Sequence, residues 1–189
     1  MHLTTLPTIS LAVANLAAAN PLHQVSRSTE NSSGASTYAA DDNLGQKILA
    51  KAQEAEGTPY VWGGGSCSGP TGSPTAGYDC SGLVSWAVCQ VTGRNLFDEG
   101  LRVTYSMYCA SETALKYKKV PYAERRAGDA VFFGGECDCS NDPSGVHHVG
   151  LMLGDGTSMW NALKTGTNVR ADDFSTWDED PCPYVVRFS

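Results

Sequence analysis

At Tyr78-Asp79-Cys80-Ser81-Gly82-Leu83-Val84-Ser85-Trp86, a Gly-, Pro- and Ser-rich loop (residues 63–77) turns into a helical pattern. Leu83, Val84, Ala87, Val88 and Val91 recur at three- and four-residue spacing, and Gly93 supplies a stop. Asp79 is a good N-cap, which puts Cys80 in the first helical turn. There, unpaired backbone N–H groups and the positive end of the helix dipole favour a thiolate. Cysteines in such positions have pKa values lowered to roughly 3.5–7.5, from about 8.5 when free. The thiolate is the nucleophile, so Cys80 is the candidate catalytic group. The rest of the chain is expected to supply its base and its substrate site.

The chain carries seven cysteines. Setting Cys80 aside leaves Cys67, Cys89, Cys109, Cys137, Cys139 and Cys182, an even set that suits disulfides in an oxidising compartment. By count alone, any of the seven could be the free one. The N-terminus fits that compartment. Residues 1–19 read as a signal peptide: Leu3 to Ala19 is mildly apolar, Leu11-Ala12-Val13-Ala14 is its densest part, and Ala17-Ala18-Ala19 offers a cleavage site. Pro7 and Asn15 interrupt it and no Lys or Arg precedes it, so a cytosolic N-terminus is the competing reading. Residues 20–40, rich in Ser, Thr, Asn and Ala, read as a flexible leader or pro-segment. Asn31-Ser32-Ser33 is a glycosylation acceptor in a eukaryotic secretory route. Residues 41–189 are the expected catalytic domain. A net charge of −7 argues against nucleic acid and against an anionic membrane surface as partners. The expected protein is secreted and monomeric.

Leu44, Ile48, Ala52 and Ala55 mark a short amphipathic helix that Gly57 ends. Pro59 stops any continuation, and Gly63-Gly64-Gly65 permits close backbone approach. Tyr60 and Trp62 share one face of this segment; both can be core aromatics, and a buried Tyr60 phenol needs a partner. Residues 96–119 carry a weak helical pattern. From Arg126 the pattern becomes β. The expected strands are 130–133, 146–153, 157–163 and 184–188, with a further one beginning at 168–170. Tight turns lie at 127–129, 154–156 and 164–167, and a Gly/Cys/Asp loop at 134–145. Helices first and antiparallel strands afterwards make an α+β fold.

A cysteine nucleophile needs a base, and the base needs an orienter. Outside the leader only His147 and His148 remain, and strand alternation puts them on opposite faces. His148 shares its face with Gly150, which leaves room beside the imidazole. The turn at 154–156 brings Asn161 alongside; its amide oxygen can accept from the ring N–H and fix the tautomer. Cys137-Asp138-Cys139 with the two histidines could also suggest zinc, but Cys-x-Cys is a weak zinc signature and disulfides are favoured. No metal or cofactor is expected.

Four stretches in order carry a family resemblance: Pro59-Tyr60-Val61-Trp62-Gly63-Gly64, Asp79-Cys80-Ser81-Gly82-Leu83-Val84, Arg126-Ala127-Gly128-Asp129-Ala130-Val131-Phe132-Phe133, and His148-Val149-Gly150-Leu151-Met152-Leu153-Gly154. The chain resembles the NlpC/P60 family of cell-wall cysteine peptidases over roughly residues 44–189. The resemblance implies a papain-like fold, with N-terminal helices packed on an antiparallel sheet. It implies hydrolysis of an amide in bacterial peptidoglycan stem peptides, typically between D-glutamate and the following diamino acid. Cys80 would attack the carbonyl and His148 would shuttle the proton. Asn161 would stand at the third polar position; Trp160 falls there if no residue slips, and an indole cannot accept. Tyr60, Asp79 and Ser81 resemble substrate-binding residues, the last two meeting the free amine of the stem peptide in some members. The Cys80 N–H and the Tyr60 hydroxyl would hold the oxyanion. The alternatives are an amidase or acyltransferase on this scaffold, or a non-catalytic disulfide-stapled binding module.

Overall fold

A computed structural model describes residues 44–189; the expected signal peptide, leader and glycosylation acceptor lie outside the described residues. Helix α1 (residues 44–53) is followed by turns to Gly57, which has a φ of 76°. Helix α2 (Cys80–Thr92) starts at the Asp79 cap and stops at Gly93, whose left-handed backbone lets its N–H reach the Cys89 carbonyl. The segment with the weak helical pattern holds two short helices, α3 (Thr104–Cys109) and α4 (Glu112–Leu115), and an unforeseen strand β1 (Lys118–Pro121). The remaining strands are β2 (Ala130–Phe133), β3 (His148–Met152), β4 (Ser158–Asn161), β5 (Arg170–Asp173) and β6 (Tyr184–Arg187). β3 and β4 are shorter than their apolar runs suggest: residues 146–147 and 153 fall outside β3, and 157 and 162–163 outside β4.

All paired strands are antiparallel, in the order β1-β6-β2-β3-β4-β5. Strand alternation splits the core into two layers. Ala130, Phe132, Val149, Leu151 and Trp160 face the helices, meeting Ile48 and Ala52 of α1 and Leu83, Val84, Ala87 and Val88 of α2. Val131, Phe133, Met152, Met159 and Val185 face the other way, where Phe174 and Trp177 cover them. At the far end of β2, the Arg187 guanidinium grips the buried Asp129 carboxylate through both oxygens, at 3.0 and 2.8 Å, and so ties β6 to the 126–129 turn.

The six remaining cysteines form Cys67–Cys89, Cys109–Cys139 and Cys137–Cys182, leaving Cys80 free. The first bridge pins the 66–77 loop to α2. The other two hold the 134–145 loop between α3 and the residues before β6. Cys137 and Cys139 are thereby spent, which removes the sulfur ligands that a zinc reading needs.

The loop before α2 lies against the helix itself. A Cβ on Gly82 would stand 2.0 Å from the Gly64 carbonyl oxygen, which is backbone and cannot swing aside. That carbonyl also accepts from the Asp79 N–H at 3.2 Å. Gly82→Ala is expected to destabilise the domain by about 1–3 kcal/mol through overpacking. Urea unfolding of the two proteins measures it, and equal midpoints would contradict this packing.

Candidate active site

The α2 start is set by one carboxylate. Asp79 Oδ1 accepts from the Gly82 N–H at 2.7 Å and from the Ser81 hydroxyl at 3.1 Å, while Oδ2 accepts from the Gly63 N–H at 3.0 Å. Arg102, from the segment before α3, donates to both oxygens, at 3.1 and 2.8 Å, and to the Ser81 hydroxyl at 2.9 Å. Its guanidinium stacks on Phe97, 4.4 Å from the ring centre. Cap, loop and α3 approach are thus joined at one point. Cys80 follows as the first helical residue, where its own N–H has no intrahelical acceptor.

Cys80 is 8% exposed and looks into a cleft of about 620 Å³. Its Sγ lies 3.4 Å from the Thr104 hydroxyl of α3 and 3.9 Å from the His147 carbonyl at the start of β3. Burial pushes the thiol pKa up; the Thr104 hydroxyl opposes this, the Asp79 charge adds to it, and the backbone at Val149 and Ser81 pulls the other way. The lowered value expected from the helix start is therefore not what the site favours. The helix terminus is present, but loss of water around the sulfur outweighs it.

His148, 6% exposed, opens β3 and lines the same cleft. Its Nε2 is 3.0 Å from Asn161 Oδ1 on β4. The Asn161 amide nitrogen donates to Asp172 Oδ2 at 3.0 Å and to the Arg170 carbonyl at 3.3 Å, both on β5. Those two acceptors turn the amide so that its oxygen faces the ring, which therefore carries its proton on Nε2 and leaves Nδ1 as the acceptor. Gly150 makes this possible: a Cβ there would meet Met159 Sδ at 2.6 Å and Asn161 Cβ at 3.1 Å. Burial pushes the His148 pKa down to about 4, against the raising effect of Asn161. Thiol and imidazole are thus both neutral at rest near pH 7.

The other expected residues sort clearly. Trp160 points into the helix-side core, donating to the Ala52 carbonyl at 2.9 Å, and is not beside His148. Tyr60 is half-buried in the cleft wall; burial first, then the Cys80 and Asp79 charges, push its phenol up to about 12, so it remains a donor. Trp62 is no core aromatic: it is 86% exposed on the cleft rim. His147 turns outward to Glu179, at 3.2 Å. Thr104, Arg102 and Asp172 were not read as site residues. The first two lie where the sequence shows only weak periodicity, and Asp172 lies on a strand of which only the beginning was visible.

A lone free thiol opening a helix, set against a strand histidine over an antiparallel sheet, defines a papain-like α+β domain. The chain belongs to the NlpC/P60 family, whose model matches residues 57–182. It is 33% identical to the peptidoglycan endopeptidase RipA of Mycobacterium tuberculosis over 146 residues, 75% of this chain and 26% of RipA. It thus spans about a quarter of the length of the RipA relatives, which cover 26% and 25% of themselves in the match. The solved structure of the peptidoglycan hydrolase RipB from M. tuberculosis matches with a TM-score of 0.58 at 30% identity, covering 84% of this chain and 72% of that one. RipD of the same organism, a non-catalytic NlpC/p60 domain protein adapted to peptidoglycan binding, matches with a TM-score of 0.57 at 29% identity, covering 77% of this chain and 98% of that one.

The buried imidazole makes a prediction for stability. The folded protein takes up the His148 proton only near pH 4, whereas the unfolded chain takes it up near the ordinary value of 6.5. Stability present above pH 6.5 is therefore lost as pH falls through 4. Between pH 7.5 and 4.5 this residue is expected to account for a loss on the order of 2 kcal/mol. Urea unfolding at both values should show that loss shrinking in His148→Gln; an unchanged pH dependence would mean the imidazole is not held neutral.

Proposed function

We propose that this chain is a cysteine peptidase of the cell wall, hydrolysing an amide in peptidoglycan stem peptides at a D-glutamyl–diamino acid bond. The observation that carries the reading is the free Cys80 sulfur in a cleft that it shares with His148, whose tautomer Asn161 holds. The relatives' names supply the substrate class. Action outside the cytosol agrees with three disulfides, and residues 1–19 would serve as the export signal, with 20–40 as a leader.

The Cys80 sulfur attacks the scissile carbonyl as its proton passes to His148 Nδ1. Because both groups begin neutral, transfer accompanies attack instead of preceding it. Positive charge that forms on the ring is stabilised by the Nε2–H bond to Asn161. The oxyanion accepts from the Cys80 N–H and from the Tyr60 phenol. His148 then gives its proton to the departing amine, leaving a thioester on Cys80. Water attacks that thioester, losing a proton to the same ring nitrogen; the C–S bond then breaks, the ring returns the proton to the Cys80 sulfur, and the product acid leaves. Thr104 steadies the sulfur, and Asp172 acts through Asn161 as a positioning residue.

A binding module like RipD is the second reading, favoured by that structural likeness; the Cys80, His148 and Asn161 arrangement favours the hydrolase. Incubation with purified peptidoglycan, followed by mass spectrometry of the fragments, separates them. Cys80→Ala is expected to abolish release while circular dichroism stays unchanged; full activity in that variant would eliminate the mechanism. Asn161→Ala is expected to lower kcat roughly 10²-fold. Asp172→Ala should give a smaller loss of the same kind, in kcat and not KM, with the acid limb of the pH–rate profile displaced. An Asp172→Ala enzyme with the wild-type profile would remove Asp172 from the chain of support.

A further inference from the structure

Asn161 holds one end of the His148 ring, but a single hydrogen bond leaves the plane free to rock about it. Two other rings lie against it. Phe133, its partner on β2, has its ring centre 6.2 Å away, and Trp177 is also 6.2 Å away. Phe133 and Trp177 pack on each other at 5.1 Å, so the three rings form one cluster. Phe133 and Asn161 belong to the sheet, and Trp177 does not. It comes from the strap between β5 and β6 (residues 174–183), where Phe174 is buried and Trp177 half-buried while Ser175, Thr176 and Asp178 are exposed. The strap is fastened on both sides of the indole. Before it, the Phe174 N–H donates to the Thr157 carbonyl at 2.9 Å. After it, Glu179 accepts from the Gly135 N–H at 2.9 Å and meets His147 Nε2 at 3.2 Å. Cys182 is bridged to Cys137, and its N–H donates to the Phe132 carbonyl at 2.8 Å. Trp177 lies outside the cleft lining, so a substrate in the cleft does not touch it.

An imidazole packed among rings has lost much of the water that an imidazolium needs. Burial is the largest influence on His148 and pushes its pKa down to about 4; Asn161 opposes this, His147 adds to it, and the Asp172 and Glu179 charges oppose it. The Cys80 thiol and the Tyr60 phenol, which line the same cleft, are neutral at pH 7. The indole face also attracts a cation. At 6.2 Å and a 46° tilt that attraction is weaker than the lost hydration, since the pKa goes down and not up. Resting on the hydrolase reading above, we infer that Trp177 is a positioning residue for the reaction: its strap holds the indole against the His148 ring, keeps water from it and stops it rocking about the Asn161 bond. The base thus stays neutral at an acidic pH where an uncovered imidazole would already be charged and unable to take the thiol proton.

The test uses Trp177→Ala, Trp177→Leu and Trp177→Phe in the full chain. Cleavage of soluble peptidoglycan fragments gives the pH–rate profile. The His148 ring is titrated by NMR in the same variants carrying Cys80→Ala, its signal identified by its loss in His148→Gln. In the wild type the ring is expected to protonate only near pH 4. Trp177→Ala should bring this toward the ordinary value of 6.5, by at least about one pH unit, and carry the acid limb of kcat/KM with it. Its kcat should fall roughly tenfold with KM unchanged, because the indole does not meet substrate. Trp177→Phe, which keeps an aromatic cover, should stay near the wild-type profile, and Trp177→Leu should fall between. A ring that titrates at the wild-type pH in Trp177→Ala overturns the inference and leaves the hydrolase reading standing; where Trp177→Ala does not fold, Trp177→Leu decides by the same criterion. A slower enzyme with an unmoved acid limb would reduce Trp177 to packing and overturn it as well. If the wild type cleaves nothing, the hydrolase reading falls, and the NMR titration still decides whether Trp177 keeps the ring dry.

Discussion

Everything at the cleft floor depends on the Asp79 carboxylate. It caps α2, receives the 63–77 loop through Gly63, and draws in Arg102 from the far side of the helix start. A helix needs a cap only for its first N–H groups, and a serine would have served. A carboxylate adds a charge that requires a counter-ion in a part-buried place, and Arg102 answers it with a bidentate contact. The same arginine begins the segment that delivers Thr104 to the sulfur. One side chain therefore sets where the thiol stands, which loop borders it, and which hydroxyl touches it.

The second organising element is the row from His148 through Asn161 to Asp172. It crosses three adjacent strands, so its geometry rests on the ladder and not on a loop. Each member limits the freedom of the one before it: the carboxylate turns the amide, and the amide chooses the imidazole tautomer. Burial drives the same ring toward neutrality. A ring that is held, oriented and uncharged is suited to receiving a proton, and in the proposed reaction this is its first task.

The α2 start was legible in the sequence because a strong cap, an apolar 3.6-residue period and a closing glycine all agree there. The His148–Asn161 pair was legible for a similar reason: period-two alternation and a tight glycine turn bring the two together, and Gly150 marks the space between them. The charge state of Cys80 was not legible. A helix terminus is visible in sequence, but the depth of burial that overrides it comes from α3 and β3, which are distant in the chain. Trp62 was ambiguous because alternation gives a face and not what covers it. Arg102 and Thr104 fall where short helices lack a full period. β1 and the insertion of β6 between β1 and β2 rest on pairings across most of the domain, which no local pattern announces.

Cys137 and Cys139 stand two residues apart, yet their partners belong to separate elements, Cys182 just before β6 and Cys109 at the end of α3. The 134–145 loop is thereby riveted at its middle, with Ser144 and Val146 of the cleft wall just downstream. Upstream of this double rivet, Gly134 lies directly against the downstream side: a Cβ there would stand 2.1 Å from the Gly145 carbonyl oxygen. Because the His147 N–H donates to the Phe133 carbonyl and His148 pairs with Phe133, the β2–β3 ladder holds the imidazole in place, and the exposed stretch 139–142 is where this scaffold has room for new sequence.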